Sequence, residues 1–416
     1  MKILTTHVGS LPRPHDLLDL MKEKLAGRQD GKYDARVRSA VAESVKKQVA
    51  SGIDIVTDGE QGKPGFFLYV NERLEGFTPR PGMKRKFFPA EVQAFPEYYE
   101  QYFKQAMLGG TVAPVVPMVC TGPVKYRGHA ALQQDIANLK AAAAAAKAPA
   151  VFMPAVAPSG VGANEYYKTE EEYFHAVGAA LRSEYKAIVD AGFTLQVDDP
   201  FLSDIFADPD YDKKQRRARA RMYVEAVNES LKGLPEEKVR FHTCYGINEG
   251  PRIHEAGLAD VVEAMLAVNA GAYSFEAANP RHEHEYHVWE TAKLPAGKKL
   301  IPGVITHASN IVEHPEFIAE RLLRYANIVG ADSVIAGADC GFSSQASYST
   351  EVHPTVVWAK FEAMSEGARI AGKKAKTTIT SRGSRGSKAP RSRRSPPRPG
   401  RRGAGRAKSA RRSRAR

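Results

Sequence analysis

The chain has 416 residues, 43% of them hydrophobic, and a formal net charge of +13. That length fits one large domain or two ordinary ones. The charge is unevenly placed: 18 of the 60 Lys and Arg, and none of the 47 Asp and Glu, fall in residues 373–416, so residues 1–372 carry 42 basic against 47 acidic residues and all the excess positive charge lies in the tail.

Three cysteines, Cys120, Cys244 and Cys340, are too few and too odd in number for a disulfide framework, and point to a reducing compartment. The opening MKILTTHVGSLPRP lacks the apolar stretch of a secretory signal. No run approaches the roughly 18 apolar residues of a membrane span. A cytoplasmic protein without a membrane partner is expected.

In chain order, short apolar runs at 3–6, 53–57, 115–119, 151–155, 194–197, 238–242, 272–275, 300–304 and 333–336 predict strands. Periodic stretches at 37–50, 169–191, 213–232 and 315–329 predict helices, and Gly52, Gly192, Gly271 and Gly330 stand where helices stop. Strand–helix alternation of this kind implies parallel strands with crossover helices. A doubly wound sheet usually carries a Gly-rich phosphate turn of the GxGxxG or GxxxxGK type, and neither occurs. A barrel instead gathers polar residues at successive strand ends. Here those ends carry Asp58 and Glu60, then Asp198 and Asp199, then His242 and Cys244, then Glu276. The expected fold is a single (β/α)8 TIM barrel over residues 1–372, with an inserted helical excursion at 77–110. Nine candidate strands exceed eight, so one belongs to a hairpin or an insertion.

Residues 373–416 are Arg, Ser, Gly, Pro and Ala with almost no apolar content, and are expected to be a disordered basic tail. Such a tail is either a solvated appendage or a nonspecific contact for nucleic-acid phosphates. It lacks the interleaved aromatics that stack on bases.

At the end of the run 238–242, His242 and Cys244 are two residues apart, and on a strand they share a face. Imidazole and thiolate are zinc ligands, but the pair taken alone fits a buried core His and Cys better than a metal site. Two further residues bear on it. Cys340 lies in SVIAGADCGFSSQ just past another strand end, and Glu276 ends the strand of AYSFEAANP. A barrel brings such ends to one mouth. A His–Cys–Cys set with a fourth position open, or filled by Glu276, matches a catalytic rather than a closed structural zinc. Cys120 in PMVCTGP is expected to be structural. The run RHEHEYH, residues 281–287, is expected to be a solvated helix start rather than a second metal site. Arg13 in LPRP is either a contact for an anionic substrate group or a loop charge.

The motifs HVGSLPRP, TDGEQGK, LQVDDP, FHTCY, SFEAAN, IPGVITHASNIVEHPE and ADCGF, in that order over about residues 3–370, resemble the catalytic barrel of cobalamin-independent methionine synthase. They resemble most the shorter stand-alone relatives, which include epoxyalkane:coenzyme M transferase. The resemblance implies a (β/α)8 barrel, zinc held by His242, Cys244, Glu276 and Cys340, thiol-substrate contacts at Ser10, Glu60 and Asp198, and proton transfer at His307. It also implies a small-molecule thiol and an alkyl donor as partners. The additional N-terminal barrel of the full-length family is not matched here, so a folate polyglutamate donor does not follow from the resemblance. The carboxylates Glu60 and Asp198 suit the ammonium of homocysteine better than the sulfonate of coenzyme M. Two other readings stand beside this one. In the first, the tail binds nucleic acid and the barrel is a scaffold. In the second, a metal-free barrel like uroporphyrinogen decarboxylase leaves His242, Cys244 and Cys340 without a shared purpose.

Overall fold

The fold was analysed in a computed structural model. It describes residues 1–28, 31–83, 88–104, 110–246 and 250–385, with side chains through residue 376. Residues 1–376 form one compact unit and 377–416 a second. Of the second, 377–385 are helical, as the end of the helix Pro354–Arg385. The tail expected at 373–416 lies outside the described residues from 386 onward.

The strands, in chain order, are β1 (Ile55–Val56), β2 (Leu74–Pro79), β3 (Met118–Tyr126), β4 (Ala150–Val156), β5 (Ala163–Asn164), β6 (Thr194–Asp198), β7 (Val239–His242), β8 (Ala272–Phe275), β9 (Lys299–Ile305) and β10 (Gly337–Ala338). Seven of them make one all-parallel sheet in the order β1-β4-β6-β7-β8-β9-β10. The first run of the chain closes it. Ala336 donates to Leu4 O and Thr6 donates to Ala336 O on one edge, while Asp54 and Ile55 donate to Thr5 O on the other. Residues 3–6 are thus the eighth stave, and the chain is a (β/α)8 barrel. Closure leaves no open edge, and the crossover helices cover the outer face, so most stave residues are buried on both faces. That is why these runs are continuous rather than alternating: β7 and β8 are buried almost throughout, and Leu300–Ile305 entirely.

The predicted helices appear as Lys32–Ala50, Glu170–Asp190, Lys213–Leu231 and Pro315–Val329. Their starts have chemical causes. The Thr169 hydroxyl accepts from Glu172 N, and Asp212 with Gln215 forms a reciprocal capping box. The surplus ninth candidate, 115–119, is not a stave. It leads into β3, which pairs antiparallel with β2 and parallel with β5 in a separate three-stranded sheet. The insertion expected at 77–110 therefore begins on a strand, and then carries two short helices, Pro89–Ala94 and Pro96–Tyr102. Among the described residues no helix is long and apolar enough to cross a membrane.

Candidate metal and substrate site

Parallel register determines what meets at the barrel mouth. Asp198 of β6 is the register partner of His242 of β7, and His242 of Ser274 of β8. Neighbouring staves present register partners on the same face, so these three side chains form one row. His242 Nδ1 lies 3.1 Å from Ser274 Oγ, and Nε2, fully buried, has no hydrogen-bond partner. One residue pair further along its strand direction is Cys244, whose Sγ lies 3.2 Å from Sγ of Cys340. His242, Cys244 and Cys340 each offer one donor atom, all within 4.8 Å of one another, and all three residues are buried. All three cysteines are free; Cys120, buried on β3, donates to Gly122 O, away from this group.

Glu276 falls just outside that triad and inside a second group with His307 and Asp339, again within 4.8 Å. Its Oε1 accepts from the amide of Tyr245, one residue past Cys244, at 3.0 Å, and its Oε2 is buried without a hydrogen bond. Burial and the neighbouring Asp339 push Glu276 up to about 8. The Cys340 thiol, burial and the nearby Glu276 push Cys244 up as well. Burial presses both His242 and His307 down to about 3, so both imidazoles are neutral. Arg281 Nη2 stands 3.9 Å from Glu276 Oε2. Neutral imidazole, two adjoining thiols and a carboxylate oxygen without a hydrogen bond are the donor set of a divalent cation such as zinc. A cation would also relieve the repulsion that raises these acids. The residues fit zinc.

Ser10, Glu60 and Asp198 are all buried beside this centre. Phe342, two residues after Cys340, donates to Ser10 O, and a Cβ at Gly341 would overlap the Ser10 hydroxyl. Glu60 occupies the left-handed region (φ 55°), held by Asp58 Oδ1 on its amide. Burial raises both Glu60 and Asp198, and the Glu60 charge raises Asp198 further. A pair of acids that repel in this way favours a cation between them. Arg13 is a loop tie: its guanidinium donates to the carbonyls of Ser343, Glu60 and Lys63 and is committed there. From His307 a solvent-open cleft runs along the serine-rich segment 341–351.

Part of the His-rich run departs from the solvated helix start expected of it. His284 and His287 are exposed, but His282 is buried. It sits between Glu285 Oε2 (3.0 Å) and Glu255 Oε2 (3.1 Å) and stacks on Tyr245 with ring centroids 4.1 Å apart. Burial opposes its charge, but the two carboxylates outweigh burial and raise it to about 9.

Three further residues shape the site and were not picked out in the sequence. Asp339 Oδ1 accepts from the amides of Ala277 and Ala278 at 2.8 Å, tying the Cys340 loop to the Glu276 loop. Below the row of Asp198 and His242 lie their i−2 neighbours Gln196 and Arg240. Arg240 Nε donates to Gln196 Oε1 (2.6 Å), and Gln196 Nε2 donates to Asp198 Oδ1 (2.7 Å). The available signal was position: Asp339 precedes Cys340, and the other two stand one alternation below named residues.

Residues 158–360 match the family described as "Cobalamin-independent synthase, Catalytic domain". The chain is 25% identical to the methionine synthase of Sulfolobus acidocaldarius over 81% of its own length and 85% of that protein's. It is likewise 25% identical to the uncharacterized protein YxjH of Bacillus subtilis, over 81% and 86%. Among solved structures, a B12-independent methionine synthase from Shewanella sp. W3-18-1, in complex with selenomethionine, superposes with a TM-score of 0.70 at 21% identity, covering 91% of this chain and all of that one.

Proposed function

We propose that this chain, which belongs to the cobalamin-independent methionine synthase family, transfers a methyl group to the thiol of homocysteine, giving methionine, at a zinc centre in the barrel mouth. The observation that carries the reading is the meeting of His242 and Cys244, from the end of β7, with Cys340, from past β10, and beside them a Glu276 oxygen that makes no hydrogen bond. His242, Cys244, Cys340 and Glu276 would hold the metal. Zinc, when bound, favours the thiolate form of a coordinated thiol, which is otherwise a weak nucleophile with a pKa of about 8.5.

The chain's own residues supply the rest. Glu60 and Asp198 bind the substrate ammonium, and Ser10 closes over the same pocket. Arg13 donates to the carbonyls of Ser343, Glu60 and Lys63, so it is not the group that would meet a sulfonate such as that of coenzyme M. In the reaction a sulfur–carbon bond forms, the donor's nitrogen–methyl bond breaks, and the departing nitrogen takes a proton. His307, neutral as it stands, accepts the proton lost by the thiol and delivers it to the leaving group.

Metal analysis and thiol calorimetry test the reading. Purified protein should hold about one zinc per chain, and Cys340→Ser or His242→Ala should lose it. Homocysteine should bind and coenzyme M should not. Zinc-free protein, or unchanged zinc in both variants, would sink the proposal.

A further inference from the structure

We infer that the buried pair Glu313–Lys360 is a positioning device for His307; this rests on the reading of His307 as the proton carrier. His307 lies two residues past the end of β9, and its ring is almost wholly buried. Neither imidazole nitrogen meets hydrogen-bond geometry with a protein group. The Gly246 backbone is close enough to act on the ring, but no side chain bonds to it, so where the ring stands depends on how the loop backbone is held.

That backbone is held on both sides of the histidine. Glu313 Oε1 accepts from the amide of Thr306 at 2.7 Å, and the Thr306 hydroxyl accepts from the amide of Ala308 at 3.2 Å. The second oxygen of Glu313 meets Lys360 Nζ at 2.9 Å, and Lys360 also donates to Ile311 O. Lys360 stands on the helix Pro354–Arg385, so a carboxylate and an ammonium together pin both ends of the loop 306–313 to the barrel's last helix.

Apolar packing does not provide the anchor. Ile311 is 75% exposed and Val312 41% exposed. Nor is stability a sufficient reason for the pair. The side chain of Lys360 is 0% exposed, and a buried ion pair often stabilises no more than well-packed apolar residues of the same volume. What the pair does that apolar residues could not is accept a specific amide and donate to a specific carbonyl on either side of His307.

The test uses the full chain loaded with zinc, homocysteine as acceptor and 5-methyltetrahydrofolate in monoglutamate and triglutamate forms as donors, with Glu313→Ala, Glu313→Gln, Lys360→Met, His307→Ala and the double variant Glu313→Ala/His307→Ala. Glu313→Gln keeps an oxygen for the Thr306 amide and should hold kcat within about threefold, whereas Glu313→Ala and Lys360→Met should lower it about tenfold or more. Zinc content and the KM for homocysteine should not move. Combined with His307→Ala, Glu313→Ala should cost nothing further, because both act through one ring. An equal loss in both backgrounds, or a raised KM at constant kcat, overturns the inference. Hydrogen exchange supplies a readout that needs no turnover: the amides of 306–311 should exchange faster in Glu313→Ala and Lys360→Met. If the unmodified protein transfers no methyl group, the proposed function fails while the exchange result still decides the loop; unchanged exchange in both variants overturns the inference alone.

Discussion

A methyl group at residue 303 would overlap Asp339 Oδ1 and lie 2.7 Å from the Asp339 amide nitrogen and Cα. Backbone cannot swing aside as a side chain can. Gly303→Ala should therefore destabilise the fold by about 1–3 kcal/mol, read as a shift of the urea midpoint without a change in slope. His282 gives a pH prediction at the same scale. Its folded value of about 9 lies above its unfolded 6.5, with Glu255 and Glu285 on its two nitrogens, Glu276 nearby and Arg281 on Glu255. Folded protein binds the proton more tightly, so this contribution is complete below pH 6.5 and disappears as pH rises through about 9. His282→Gln should lower stability at pH 6 and flatten the decline between pH 6.5 and 9 in urea melts. An unchanged decline would assign it to other groups.

At the scale of elements, β6 and β7 act as a two-storey unit. The lower storey, Gln196 and Arg240, is fastened to the first stave, because Arg240 also donates to Thr6 Oγ1 (2.8 Å) and His7 O (2.6 Å). The upper storey, Asp198 and His242, faces the proposed substrate and metal. Gln196→Leu removes the donor to Asp198 Oδ1, and one hydrogen bond to a charged group is worth about 1.5–3 kcal/mol. Homocysteine should bind at least tenfold more weakly by calorimetry, with zinc content unchanged. The hairpin of β2 and β3 is held differently. Buried Glu184, on the helix Glu170–Asp190, accepts from Tyr69 (2.8 Å), Tyr126 (2.7 Å) and Arg73 (3.2 Å), and Arg73 also pairs with Asp135. Glu184→Ala strands buried donors and should cost about 3–5 kcal/mol, measured by chemical denaturation.

At the scale of the molecule, the first compact unit ends near the point where the charge pattern changes. The first unit stops at Lys376, and no Asp or Glu follows Glu366. A chain ending at residue 376 should keep its zinc, its homocysteine affinity and its melting temperature; a loss of any of these would place part of the site's support beyond that residue. Deleting residues 1–6 should have the opposite effect and prevent folding, because those residues are a stave of the barrel and their carbonyls and amides satisfy both neighbouring edges.

The sequence by itself determined the architecture, because strand–helix alternation has a fixed period and polar residues interrupt the apolar runs at their ends. It also singled out His242, Cys244 and Cys340 as residues in search of one another, since their chemistry has few other uses. Which residues meet was settled by register, which local sequence does not encode. Register put Ser274 beside His242, set Glu276 with His307 and Asp339 rather than within the sulfur triad, and sent 115–119 into a hairpin outside the barrel. The burial of His282 and the commitment of Arg13 were equally out of reach of the sequence. Their partners, Glu255 and Glu285 for the one and the carbonyls of residues 60, 63 and 343 for the other, become neighbours only when the barrel closes.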